Sequence, residues 1–132
     1  MGAHQRAHNN GRLIYVDSDE VWELTAQGER RRIAGGGTGG DGGPANQADL
    51  NTLGDAVYSP QGELFLVERF TGLIKKVDRN GILSTVVGNA NGVIPAAGMS
   101  PTAARFFSLR HIAFDKDGNL VFADTNLIWR VR

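Results

Sequence analysis

The sequence predicts an all-β fold of repeated four-stranded antiparallel sheets, on three observations. A glycine, a polar residue, four apolar residues and a carboxylate recur in that order from Gly11, Gly62 and Gly118. Short polar turns, each with a glycine suited to positive φ, separate the apolar stretches. No stretch of ten or more residues keeps apolar side chains at the i, i+3 and i+4 spacing of a helix. We therefore expect hairpins throughout.

The elements of each repeat follow in a fixed order along the chain. The apolar stretch after the repeated glycine is one strand, and a second strand follows each time, at residues 21–24, 73–77 and 127–131. A further strand comes after these at residues 31–34 and 82–87, and a leading strand precedes them at residues 55–58 and 111–114. The complete unit therefore has four strands, and the first and third repeats each show three.

Continuous apolar runs such as residues 64–67 predict strands that are covered on both faces, as in the blade of a β-propeller. We place blades at about residues 11–34, 54–88 and 110–132, a glycine-rich linker at 35–53 and a second linker at 89–109. Residues 1–10 show no strand pattern and are predicted to be a disordered tail or a cloning remnant.

These strands make about two and a half blades, whereas closed propellers have roughly four to eight. The propeller segment is therefore incomplete in one chain. Either the chain is a piece of a longer protein, or copies associate so that one chain completes the blades of another. We accordingly expect self-association or pairing with missing blades.

Composition excludes several classes of protein. The 132 residues contain no cysteine, which rules out disulfide-stapled and cysteine-ligated metal modules. Lys and Arg number 14, as do Asp and Glu, so we expect no nucleic-acid partner and no membrane partner. No apolar run approaches the roughly 20 residues of a membrane span, and residues 1–10 do not form a signal peptide. A cytoplasmic and a secreted location both stay open.

Three carboxylates at the same repeat position are the best candidate site. Asp17, Glu68 and Asp124 each end the strand that follows the repeated glycine, so repeat geometry places them on one rim. Glu20, Arg69 and Phe70 fall in the neighbouring loops. Such a rim could receive a cationic partner or a divalent cation, or its acids could simply accept hydrogen bonds from turn amides.

Other motifs predict no catalytic residue, cofactor or metal. Residues 35–40 satisfy the G-x-G-x-x-G spacing of dinucleotide sites, but no helix follows to hold a pyrophosphate. His4, His8 and His111 lack the further ligands of a zinc site. The basic residues 30–32 lie on a predicted outer strand, where charge protects the sheet edge.

The chain resembles bacterial NHL-repeat β-propellers over residues 11–132. The resemblance is carried by Ile33-Ala-Gly-Gly-Gly, Gly40-Asp-Gly-Gly-Pro-Ala45, Ser59-Pro-Gln-Gly-Glu-Leu-Phe65, Ile74-Lys-Lys-Val-Asp-Arg-Asn-Gly81 and Gly118-Asn-Leu120. It implies six-bladed rings that mostly serve as binding platforms, with a minority of enzymes.

We therefore expect a non-catalytic binding or scaffold module that recognises a protein or small molecule through its loop-bearing face. One alternative is a fragment of a propeller lyase whose metal ligands or general base come from several blades. Another is a structural spacer in a large secreted repeat or toxin protein.

Overall fold

Three antiparallel sheets follow one another along the chain. The computed structural model describes residues 4–7 (backbone), 13–124 and 127–132. The strands are β1 (His4–Ala7), β2 (Leu13–Asp17), β3 (Glu20–Leu24), β4 (Arg30–Ala34), β5 (Leu53–Tyr58), β6 (Leu64–Glu68), β7 (Leu73–Val77), β8 (Leu83–Val87), β9 (Ile112–Phe114), β10 (Leu120–Asp124) and β11 (Leu127–Val131). The first sheet has the order β1-β2-β3-β4, the second β5-β6-β7-β8 and the third β9-β10-β11. The predicted all-β fold class is confirmed.

Strand β1 differs from the sequence prediction, which gives the first sheet no leading strand and treats residues 1–10 as a tail. Residues 4–7 pair with β2, with His4 opposite Val16 and Ala7 opposite Leu13. Pairing at a sheet edge satisfies the free backbone groups of β2, and it does not require an apolar pattern in the added strand. Residues 1–3 and 8–10 lie outside the described residues.

The predicted hairpin turns form four copies of one structure. The residue before each turn donates its N–H to the carbonyl four residues later, as from Ser59 to Glu63 at 2.8 Å and from Asp115 to Asn119 at 2.9 Å. Gly28, Gly62, Gly81 and Gly118 adopt φ between 80° and 87°. Because a side chain strains this conformation, the repeated glycine fixes where each strand starts.

Two apolar cores join the three sheets. Ile14, Val16 and Val21 of the first sheet pack with Leu64 and Leu66 of the second. On the other face of the second sheet, a separate cluster joins it to the third; its members include Val67, Ile74, Val87, Ile112, Leu120 and Phe122. Alternate residues of β6 thus serve different cores, which explains its continuous apolar sequence.

The linkers also pack as repeats, each containing a short 3₁₀ turn, at Ala45–Gln47 and Pro101–Ala103. In the first linker the Gly35 N–H donates to the Ala45 carbonyl at 2.9 Å. In the second the Gly88 N–H donates to the Pro101 carbonyl at 2.9 Å. No described helix is long and apolar enough to cross a membrane.

Candidate recognition surface

The turns that follow the second strand of a sheet and the linkers that lead into the next sheet meet on one face, here called the loop face. The Leu53 N–H donates to the Ser18 carbonyl, and the Arg69 N–H donates to the Thr52 carbonyl, both at 2.9 Å. A Cβ on Gly72 would lie 2.0 Å from the Phe106 carbonyl oxygen. The backbone of the β6–β7 turn therefore touches the second linker directly.

Glu68 lies inside this face. It is 2% exposed, and its carboxylate accepts hydrogen bonds from the Asn51 N–H at 2.9 Å and the Thr71 hydroxyl at 2.8 Å. These bonds hold the first linker to the β6–β7 turn. The carboxylate is thus engaged by groups of this chain.

Asp124 repeats the arrangement one sheet later. Its carboxylate accepts a hydrogen bond from the Phe107 N–H at 3.0 Å, and Phe107 occupies the linker position of Asn51. Asp17 is exposed, while the partly buried Glu20 accepts a hydrogen bond from the Trp22 indole at 3.0 Å. Within the described ranges, no group of three or more His, Asp or Glu side chains is placed to hold a metal ion.

Two phenylalanine rings stand out from the loop face, each with an arginine stacked over it. Phe70 is 74% exposed, and the Arg69 guanidinium lies 4.9 Å from its ring centroid. Phe107 is 56% exposed, with the Arg105 guanidinium 5.0 Å from its ring. The predicted site includes the first pair. The sequence also places Phe106 and Phe107 in a segment before a strand, where at least one of Phe70, Phe106 and Phe107 could be an exposed contact residue; Arg105 is an addition from the structure.

A cleft of about 380 Å³ opens beside Phe107. Its walls are mostly apolar, and Val93, Ile94 and Leu127 expose 59%, 86% and 60% of their surfaces. Arg105 and Asp124 are its only charged lining residues among those described. The cleft thus combines apolar walls, an aromatic ring and a cation.

A polar cluster connects the first linker to strands β7 and β8 of the second sheet. The Asp41 carboxylate accepts hydrogen bonds from the Lys75 ammonium at 2.9 Å and the Thr85 hydroxyl at 2.6 Å. Burial by itself raises the pKa of Asp41, but the bonds from Thr85 and Lys75 and the Lys75 charge outweigh it. The pKa of Asp41 therefore lies below its usual value.

Asp115 has a lowered pKa for a local reason. Its carboxylate caps the Asp115–Asn119 turn, with the Asn119 N–H as the main donor at 2.9 Å, and Arg130 adds a favourable charge. Hydrogen bonds to the ionised form stabilise it. Both carboxylates with a lowered pKa thus serve structural contacts.

Two arginines of the basic cluster on β4 interact with side chains of the neighbouring strand β3. The Arg31 guanidinium pairs with Glu23 at 2.8 Å, and Arg30 lies 4.3 Å over the Trp22 ring. This agrees with the expectation that these charges cover an outer edge.

Solved structures resemble this chain over nearly its whole length. A structural genomics protein of unknown function from Bacteroides thetaiotaomicron superposes with TM-score 0.72 and 21% identity, over 93% of this chain and 32% of that one. An auxiliary nutrient binding protein from Bacteroides ovatus gives 0.69 and 16%, over 92% and 34%. Virginiamycin B lyase from Staphylococcus aureus gives 0.63 and 14%, over 99% and 38%.

The fold is of the β-propeller type. At these identities the likeness shows the fold alone, and the chain spans about a third of the length of the structures it matches. No protein-family model and no curated protein matches the sequence.

Proposed function

We propose that this chain is a segment of an NHL-type propeller and acts as a non-catalytic recognition module through its loop face. The observation that carries the proposal is the pair of exposed phenylalanines on this face, Phe70 and Phe107, of which Phe107 lines an open apolar cleft. Exposed aromatic side chains on a rigid scaffold are typical centres of binding energy.

The packing of the loop face favours binding at these rings over binding by the predicted ring of acids. Glu68 and Asp124 are held by N–H groups of the linkers, so they support the surface rather than present free charge. Arg69 and Arg105 stack on the two phenylalanine rings and present positive charge at the rim of the loop face.

These side chains define the chemistry of the partner. An apolar or aromatic group fits between Val93, Ile94 and Phe107, and a carboxylate placed beside it would meet Arg105. We therefore infer a partner, protein or small molecule, that presents an apolar group next to an acidic one. The auxiliary nutrient binding protein is a precedent for a binding role on a similar fold.

A phage-displayed library of random twelve-residue peptides tests the proposal without a known partner. We expect the selected peptides to pair an apolar residue with Asp or Glu. Phe107→Ala and Phe70→Ala should each weaken binding of the selected peptides about tenfold, which corresponds to about 1.4 kcal/mol.

Lys116→Ala is the matched control, because Lys116 is exposed in the turn at the other end of β10. This variant should bind the selected peptides as the parent chain does. Selected peptides that bind the Phe70→Ala, Phe107→Ala double variant with unchanged affinity would contradict the proposed site.

A further inference from the structure

The first strands of the second and third sheets, β5 and β9, contact each other and bring one repeat position next to its own copy. Asp55 and His111 occupy this position, by the register of β5 with β6 and of β9 with β10. The Asp55 Oδ2 lies 3.6 Å from the His111 Nδ1 and accepts a hydrogen bond from the Ile112 N–H at 3.3 Å. Asp55 is 0% exposed, whereas the His111 side chain is 66% exposed. The buried carboxylate therefore anchors an imidazole that faces solvent.

Gly54, the residue before Asp55, leaves room for two arginines. A Cβ on Gly54 would lie 2.6 Å from the Arg69 Cγ and 2.8 Å from the Arg110 carbonyl oxygen. Because a side chain would occupy this space, glycine at position 54 allows the arginine after β6 and the arginine before β9 to meet. His111 directly follows Arg110. Arg69, Arg110 and His111, here called the inner cation cluster, thus gather where the second and third sheets meet on the loop face.

The inner cation cluster carries more positive charge than its surroundings balance. Among the described residues neither Arg69 nor Arg110 forms an ion pair. Two guanidinium charges stand against the single buried carboxylate of Asp55, which leaves an excess of one positive charge before any proton is added to His111. Guanidinium groups bind carboxylates through paired N–H donors, so this excess favours an acidic ligand group.

We propose that the inner cation cluster binds a carboxylate of the ligand that the loop face recognises, an inference that rests on the proposed recognition function. The carboxylate accepts N–H groups of Arg69 and Arg110, and the anchored His111 ring borders it. An apolar group of the same ligand packs beside Phe70, whose ring is 74% exposed. An excess of one positive charge matches a carboxylate better than a doubly charged phosphate.

This site is separate from the cleft beside Phe107. Arg105 and Asp124 are the charged residues that line that cleft, and the members of the inner cation cluster do not line it. The loop face therefore offers two places for an acidic group, each with an exposed phenylalanine beside an arginine. The inner place has two arginines and is the stronger candidate for a small carboxylate.

Phenylacetate is the probe, because it joins an apolar ring to a single carboxylate. The full chain, labelled with ¹⁵N, is titrated with phenylacetate at pH 7 and followed by NMR. We expect saturable shifts at millimolar concentration in the backbone amides of Arg69, Phe70, Arg110 and His111. The neutral analogue 2-phenylethanol should bind about tenfold more weakly, and phenyl phosphate about threefold more weakly.

Arg110→Gln should weaken phenylacetate binding about tenfold, because it removes one of the two charged donors. Arg79→Gln is the matched control, since Arg79 is exposed in the turn at the opposite end of β7 and should not affect binding. Gly54→Ala should also weaken binding, because the added Cβ displaces Arg69 from Arg110. Thermal unfolding of each variant establishes that it is folded.

Equal binding of phenylacetate to the parent chain and to Arg110→Gln would overturn the site, as would shifts confined to Phe107 and its cleft. Tighter binding of phenyl phosphate would overturn the assignment to a carboxylate. The phage-selected peptides separate this inference from the proposed function. If they depend on Phe70 and Phe107 while phenylacetate does not bind, the cluster is not the carboxylate site and the loop-face function stands. Phenylacetate binding that depends on Arg110 would support the cluster even if the peptides ignore both rings.

Discussion

Three residues at one repeat position have three different environments. Glu68 is buried with two hydrogen-bond donors, Asp124 is half-buried with a linker N–H, and Asp17 is exposed. The difference follows from the preceding linker, which supplies the N–H for Glu68 and Asp124. A carboxylate repeated at this position therefore marks a structural contact. Its exposure depends on whether a preceding linker packs against it.

Glu68→Ala should lower the free energy of unfolding by about 2–4 kcal/mol, because it removes a buried charged acceptor from two hydrogen-bond donors. Asp17→Ala, at the same repeat position, should cost less than about 0.5 kcal/mol. Urea unfolding of the two variants measures both values. Equal costs would show that Glu68 does not hold the linker.

Asp41→Asn tests the polar cluster through its pH dependence. The pKa of Asp41 is lower in the folded chain than its usual value of 3.8, so its charge stabilises the fold above that pH and ceases to do so as pH falls through the folded value. Because this side chain is 43% exposed, the loss at pH 7 should be no more than about 1 kcal/mol. Thermal unfolding of parent and variant at pH 7 and pH 3 should give a gap in Tm that is smaller at the lower pH; a constant gap would contradict this.

Gly62→Val tests the turn geometry. Gly62 has φ of 87° with open space where a Cβ would lie, so the cost comes from backbone conformation alone. A β-branched residue in this region should cost at least about 1–2 kcal/mol. Gly40→Val is the control, since Gly40 also has open space and lacks a positive φ. Similar midpoints of unfolding for both variants would refute the role of the turn.

At the scale of elements, the sequence predicts the turns and strands that are specified by neighbouring residues. The four glycine turns and ten of the strands follow from turn residues and apolar runs, because each hairpin is specified by neighbouring residues. Strand β1 could not be predicted this way. Its residues, His-Gln-Arg-Ala, carry no apolar alternation, and β2 recruits them through backbone hydrogen bonds.

The candidate site was predictable only in part, because tertiary packing decides which side chains reach the surface. Phe106 and Phe107 are adjacent in sequence, yet Phe106 is 4% exposed and packs edge-on against Phe122, while Phe107 faces outward. From the sequence, either Phe106 or Phe107 could be the exposed ring, and nothing in the local pattern distinguishes them. The second linker has no glycine-rich loop, so the match of its Val93–Ala104 bridge to the first linker became visible only in the structure.

At the scale of the whole molecule, neighbouring sheets bury their apolar faces against each other and against the linker between them. Val21, Ile74 and Ile128 occupy the same position in the three repeats. Val21 and Ile74 are fully buried against the next sheet, whereas Ile128 is 78% exposed. The outer face of the third sheet is therefore built like an interface, and we expect the chain to self-associate through it.

Sedimentation velocity over a range of concentrations tests this claim most directly. The parent chain should sediment as a concentration-dependent assembly, and Ile128→Lys should shift it to a folded monomer. Asn80→Lys adds the same charge to an exposed turn and should change nothing. A parent chain that remains a folded monomer at every concentration would contradict the account.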